Sequence, residues 1–271
     1  MRRKKPQATR SLPGSAMSGV VYLVGAGPGA PDLLTLRAAR LLAQADVVFH
    51  DALLHPETLA LAEQAVKVAV GKRSGKLSAA QRFITKQLVD AARKHKTIVR
   101  LKGGDPMLFG RAQEEIDALN AAGVKVEIVP GISAAFAASA ELQTSLTRRA
   151  LSRSVLFATP REAEGSRKND WARAAAAADT VALYMAAGEA FVVRDALLAQ
   201  GVPASRPAVI VENAASAQVR VMVASVGTLP GVADSVGDGP ALVLVGEVYA
   251  DLAAAQNAAR EFFFLQRTEL A

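Results

Sequence analysis

Short apolar runs alternate with longer stretches of helical periodicity through the first half of the chain. Val20–Val24, V-V-Y-L-V, reads as a buried strand. Behind it Leu34, Ala38, Leu41 and Leu42 line one face of a helix expected from Leu33 to Ala43, with Asp32 as its N-cap. Further strands are expected at Asp46–Phe49, Val66–Val70, Ile98–Leu101 and Val124–Val129. Helices are expected at Pro56–Ala65, from Ser78 to about His95 behind a Ser78–Gln81 capping box, from Gly110 to Ala122, and over Ala134–Leu142 capped by Ser133. This alternation predicts a mostly parallel sheet with right-handed crossovers. Each glycine-bearing turn follows a strand, so these turns should gather at the carboxyl edge of that sheet, where α/β folds bind ligands.

The second half reads differently. Gln143–Arg153 is polar and basic and reads as a connection into a second domain. Strands follow at Ser154–Ala158, Thr180–Met185, Pro207–Glu212, Val219–Ala224 and Ala241–Gly246, with a helix from Gly188 to Gln200 and a polar loop over Glu162–Asn169. Two of these strands can pair antiparallel through the turn at Asn213–Gln218. The fold class is therefore α/β, with a mostly parallel N-terminal sheet and a mixed C-terminal one. The expected organisation is a basic, disordered extension over 1–18, an α/β domain over 19–142, a linker over 143–153, a second α/β domain over 154–250 and a helical tail over 251–271. In that tail Phe262, Phe263, Phe264 and Leu265 form an apolar cluster that could dock on this chain or on a second subunit.

Composition narrows the chemistry. The 271 residues contain no cysteine, which excludes disulfides, thiolate metal sites and cysteine nucleophiles. His50, His55 and His95 lack the spacing of a helical metal pair, so no metal is expected. The net charge of +7 owes most to Arg2, Arg3, Lys4, Lys5 and Arg10. That tail has no apolar h-region and is read as a solvated arm ahead of Met17, with nucleic acid not expected as a partner. No apolar run is long enough to cross a bilayer, so no membrane partner is expected and the location is read as cytoplasmic.

The richest stretch is Val99–Arg111, V-R-L-K-G-G-D-P-M-L-F-G-R. Two glycines after a strand admit a ligand close to the backbone, and Asp105 could accept hydrogen bonds from it. The same residues also make an ordinary strand-to-helix turn. Gly25–Gly29 resembles a dinucleotide loop, but Pro28 and Pro31 remove donors that a pyrophosphate would need. Asp51 follows the second strand and is either a site residue or a turn cap. Lys72 and Arg73, between Gly71 and Gly75, either bind anions or are solvated.

Taken together these segments resemble the tetrapyrrole methylases, most closely the uroporphyrinogen-III C-methyltransferases. The resemblance spans roughly Gly19–Val248. It is carried by V-G-A-G-P-G-A-P-D-L-L-T-L at Val24, H-D-A-L-L at His50, V-G-K-R-S-G at Val70, the Val99 stretch, V-P-G-I-S-A at Val129, L-Y-M at Leu183 and V-G-E-V at Val245. It implies two α/β domains with S-adenosylmethionine in an inter-domain cleft, usually in a homodimer, and S-adenosylhomocysteine as a product. It also implies methylation of uroporphyrinogen III at C2 and C7 to precorrin-2, on the way to sirohaem and cobalamin. The implied cofactor contacts are Pro28, Gly103, Gly104, Asp105, Leu108, Ser133, Ala134, Met185 and Ala214, the last standing where glycine is usual. Asp51 matches the family's proton acceptor and Lys72 its proton donor, although Lys72 could equally hold a substrate carboxylate. Arg73, Arg111, Arg148 and Arg149 are candidate partners for the substrate's carboxylates. The family's G-I-P-L-T-H-R is Q-T-S-L-T-R-R here, over Gln143–Arg149, and Ala52 replaces a common arginine. These departures leave open a later precorrin as substrate, a non-catalytic binder of tetrapyrrole or cofactor and, more remotely, methylation of RNA.

Overall fold

Strand and helix alternate through the first half as the periodicity predicts. The computed structural model describes residues 19–52, 54–70, 77–161 and 170–255, and for 77–80 the backbone alone. The elements of the first half are β1 (Val20–Gly25), α1 (Leu36–Ala43), β2 (Val47–His50), α2 (Pro56–Ala60), β3 (Val66–Ala69), α3 (Leu77–Ala92), β4 (Thr97–Lys102), α4 (Ala112–Ala121) and β5 (Lys125–Val129). Their sheet has the order β3-β2-β4-β1-β5, and every pair is parallel. Apolar side chains of both faces are buried, with Val21, Leu23, Leu88 and Ile98 in one cluster and Val24, Leu42, Val48 and Leu101 in another. A strand buried on both faces is a continuous apolar run, which is why β1 and β2 are legible; the edge strands β3 and β5 are more exposed.

The second half supplies α5 (Ala134–Glu141), β6 (Val155–Ala158), α6 (Trp171–Ala177), β7 (Thr180–Tyr184), α7 (Ala190–Ala199), β8 (Pro207–Glu212), β9 (Arg220–Ser225), α8 (Leu229–Ala233) and β10 (Ala241–Gly246). The order is β6-β7-β10-β8-β9, with β6 and β7 parallel and the other pairs antiparallel. The expected β8–β9 pairing is present.

The described residues divide into two compact units, one holding those up to Ala26 with those of Leu34–Gly131, the other Gly27–Leu33 with those from Ile132. The division falls ahead of the connection expected at 143–153. The reason is α5, whose Ala135, Ala137 and Ala138 pack with Leu142, Leu146, Val209 and Leu244.

Local corrections follow from hydrogen bonding. Asp32 is not the N-cap of α1; it sits in a 3-10 turn, Pro31–Leu33, and Thr35 caps the helix by accepting from the Ala38 amide at 3.1 Å. The capping box expected at Ser78–Gln81 rests on a Ser78 side chain outside those described; Gln81 directs its side-chain Nε2 to Glu115 Oε1 at 2.9 Å. Ser133 occupies the cap position of α5 without capping it; the Tyr184 hydroxyl accepts from the Ala135 amide instead. Helices α6 and α8 were not expected. The loop at Glu162–Asn169, the basic extension and the cluster Phe262–Leu265 lie outside the described residues.

Candidate active site

In the first unit the carboxyl ends of β1, β4 and β5 converge on three glycines. A Cβ built on Gly131 would lie 2.2 Å from the Gly104 carbonyl and 2.8 Å from Gly25 Cα. Gly104 also needs a φ of +64°, which glycine adopts without strain. Packing therefore explains these glycines. It does not explain Gly103, where an added Cβ would meet nothing within 4 Å and φ is not left-handed. This end of β4 is bare toward open space, as close approach of a ligand requires.

Asp105 stands at the same edge with both carboxylate oxygens engaged: Oδ1 accepts from the Met107 amide at 2.8 Å and Oδ2 from the Gly131 amide at 2.9 Å. Its first task is to tie the turn after β4 to the turn after β5. Leu108 is half-buried, and its amide donates to the Asp105 carbonyl. Arg111 is exposed and grips Glu114 with Nε and Nη2, each at 2.7 Å. Arg111 and Phe109 hold φ near +54° and +53° on either side of Gly110.

Asp51 follows β2 at this edge and does not cap a helix. It receives Arg100 Nη2 on Oδ1 at 2.6 Å, while 37% of its side chain is exposed. Behind it lies a charge cluster that the sequence reading missed. Arg100 Nε donates to Glu115 Oε1 at 3.2 Å, and Lys102 Nζ approaches the same oxygen at 3.4 Å. All three side chains are almost fully buried. Burial, with the Arg100 charge beside it, lowers the pKa of Lys102. The available signal was two cations at alternate positions of an apolar strand, which share one face by the period of two. Lys72 and Arg73 lie outside the described residues.

The second unit holds the other candidates. Pro28 is half-buried beside Gly29, whose added Cβ would lie 2.8 Å from the Ala215 carbonyl and 3.3 Å from that of Ala214. Ala214 is buried and not left-handed; Asn213 and Ala215 are, at φ +54° and +57°. The Ala215 amide donates to Glu141 Oε1. The Ser133 hydroxyl bonds the Tyr184 hydroxyl at 2.7 Å, which orients it while leaving it a lone pair to accept with, and Ala134 follows at the first turn of α5. Met185, one residue past β7, is exposed and held at φ +56°. It borders a hollow of about 340 Å³ lined also by Arg161, Gly188, Glu189, Gly237 and Gly239. Non-glycine residues in this conformation cost roughly 1–3 kcal/mol each and cluster at ligand sites. Arg148 pairs instead with Asp251 at 3.1 Å, both exposed, and Arg149 is exposed with no ion pair among the described residues.

The family model for tetrapyrrole (corrin/porphyrin) methylases matches residues 20–230. A sirohaem synthase from Chromobacterium violaceum is 44% identical over 237 residues, covering 87% of this chain and 50% of that protein. The chain thus spans about half the length of the curated relatives it matches. A uroporphyrin-III C-methyltransferase from Thermus thermophilus, solved with S-adenosylhomocysteine, is 37% identical with a TM-score of 0.74, over 85% of this chain and 93% of that one. A cobalt precorrin-4 methyltransferase of cobalamin biosynthesis is 26% identical with a TM-score of 0.75, over 88% and 98%.

Proposed function

Because this chain belongs to the tetrapyrrole methylase family, we propose that it methylates uroporphyrinogen III from S-adenosylmethionine at C2 and C7, giving precorrin-2 for sirohaem or cobalamin. The observation that carries the reading is Asp51, an ion-paired carboxylate open to solvent at the carboxyl edge of a parallel sheet. The cofactor, when bound, supplies an electrophilic methyl group that needs no metal.

Within the first unit, the residues at the end of β4 suit close approach of such a ligand. Gly103 leaves the end of β4 bare, and Gly104 and Asp105 shape the turn beside it. Leu108 adds apolar surface, and Pro28, Ser133, Ala134, Met185 and Ala214 make up the rest of the proposed contacts. The Ser133 hydroxyl, oriented by Tyr184, still has a lone pair with which to accept from the ligand.

Asp51 takes the proton that the tetrapyrrole sheds after methylation. Oδ1 is held by Arg100, and Oδ2 has no hydrogen-bond partner among the described residues, so it faces the substrate as the free base. Lys72 is the proposed donor or carboxylate anchor, and Arg73 a second anchor. Arg111, Arg148 and Arg149 meet other substrate carboxylates. Arg111 and Arg148 must share or release Glu114 and Asp251 to do so, whereas Arg149 needs no exchange among the described residues. A homodimer in the cytoplasm belongs to the same reading and is supported by the resemblance; sedimentation of the purified chain as a monomer would remove the dimer.

A second reading, methylation of a later corrin precursor, is favoured by the likeness to the precorrin-4 enzyme, whose TM-score equals that of the uroporphyrin relative within 0.01. Incubation with methyl-labelled S-adenosylmethionine and each tetrapyrrole in turn, without oxygen, separates the two. Label on uroporphyrinogen III supports the first reading. Label on the later precursor alone replaces it with the second, and label on neither contradicts both.

A further inference from the structure

We propose that Arg100 and Glu115 are positioning residues for Asp51, forming a buried brace that fixes the catalytic carboxylate. The inference rests on the reading of Asp51 as the base. Every nitrogen of the Arg100 guanidinium is committed: Nε to Glu115 at 3.2 Å, Nη1 to the Leu101 carbonyl at 3.0 Å and Nη2 to Asp51 at 2.6 Å. A planar group held at three points cannot rotate, so Asp51 meets a donor of fixed direction. Glu115 is the fulcrum. It is fully buried, and Oε1 gathers Arg100, Lys102 and Gln81.

Buried ion clusters are no bargain for stability; apolar residues of similar volume often do as well or better. This cluster is balanced, with Arg100 and Lys102 facing Glu115 and Asp51. Its one outlet is Asp51, more than a third exposed while the other three are at most 5% exposed. Charge that is costly to bury thus converges on the group that handles the proton. Lysine at position 100 would keep the charge but could not span Glu115 and Asp51 as a fork.

The test is a double-mutant cycle between Arg100→Lys and Asp51→Asn, run on whichever tetrapyrrole the wild type methylates, with cofactor Kd from calorimetry and folding from thermal unfolding. Arg100→Lys is expected to lower kcat roughly 10- to 100-fold and leave the cofactor Kd within about 2-fold. Added to Asp51→Asn it should lower kcat by no more than about 2-fold, because the brace acts through Asp51. A double variant whose losses multiply, or an Arg100→Lys protein with full kcat, overturns the brace while leaving Asp51 as base. A fully active Asp51→Asn overturns the base assignment and the brace together. If Arg100→Lys does not fold, Glu115→Gln, which keeps shape and removes the charge, carries the same cycle with the same outcomes.

Discussion

Two glycines one strand apart should answer alanine in opposite ways. At Gly131 the new Cβ would fall 2.2 Å from the Gly104 carbonyl and 2.8–3.0 Å from Gly25 backbone atoms. All of these neighbours are backbone at the ends of β1 and β4, so no flexible side chain can yield. Overpacking of this kind costs about 1–3 kcal/mol, and the upper end applies where only backbone can move. Since about 1 kcal/mol shifts the unfolding temperature of a domain this large by about 2–4 °C, Gly131→Ala should lose about 6–12 °C. At Gly103 the new Cβ meets nothing within 4 Å, and stability should stay within about 0.5 kcal/mol. Its effect should fall on the ligand: a methyl group on a surface that must admit the cofactor backbone-close should weaken Kd about 10-fold, or about 1.4 kcal/mol. Thermal unfolding and calorimetry with S-adenosylhomocysteine read both quantities on both variants. Equal unfolding shifts would refute the packing argument. An unchanged Kd in Gly103→Ala would remove Gly103 from the cofactor surface.

Glu115→Ala should cost about 3–5 kcal/mol, because it strands Arg100 and Lys102 in the interior with Asp51 as their remaining counter-charge; denaturant unfolding measures it, and a loss under 1 kcal/mol would contradict the cluster. Asp46 accepts the Lys96 and Thr97 amides, which holds its carboxyl below the ordinary value. Its stabilisation is therefore present above about pH 4, the unfolded value, and fades as the pH falls through the lower folded value. Asp46→Asn should destabilise at neutral pH, and the gap to wild type should narrow on acidification; a gap independent of pH would sink this. Ala215 carries a left-handed backbone, so Ala215→Gly should gain roughly 0.5–1 kcal/mol, whereas Ala214→Gly should not, a contrast that melting curves resolve.

The central strands β1, β2, β7, β8 and β10 are legible because both faces are buried and they read as apolar runs, whereas β3, β5 and β9 are more exposed and show by their β-branched residues. Helix starts were less legible, since a cap depends on which side chain reaches the first amides. Asp32 and Thr35 both suit a cap, and geometry favours Thr35. Gln81 has the spacing of a capping box, and its side-chain Nε2 also serves a partner 34 residues on, Glu115, that local spacing does not reveal. Helix α6 hid in the alanines around Ala175, where a single Trp171 anchors the buried side. At the site, Arg100 and Lys102 lie inside an apolar strand just ahead of Gly103 and Gly104. Two cations on one face of a buried strand demand a counter-charge, but the sequence alone does not say that Glu115 supplies it. The sequence leaves Asp105 open between a ligand contact and an ordinary turn residue, and its two backbone bonds give it a task in holding the turns.

The measurement closest to the central claim is the mass of the tetrapyrrole recovered after anaerobic incubation of this chain with S-adenosylmethionine and freshly reduced uroporphyrinogen III. The account predicts the gain of two methyl groups, and stalled turnover in Asp51→Asn under the same conditions. An unchanged tetrapyrrole mass, with S-adenosylhomocysteine still bound by the protein, would contradict it.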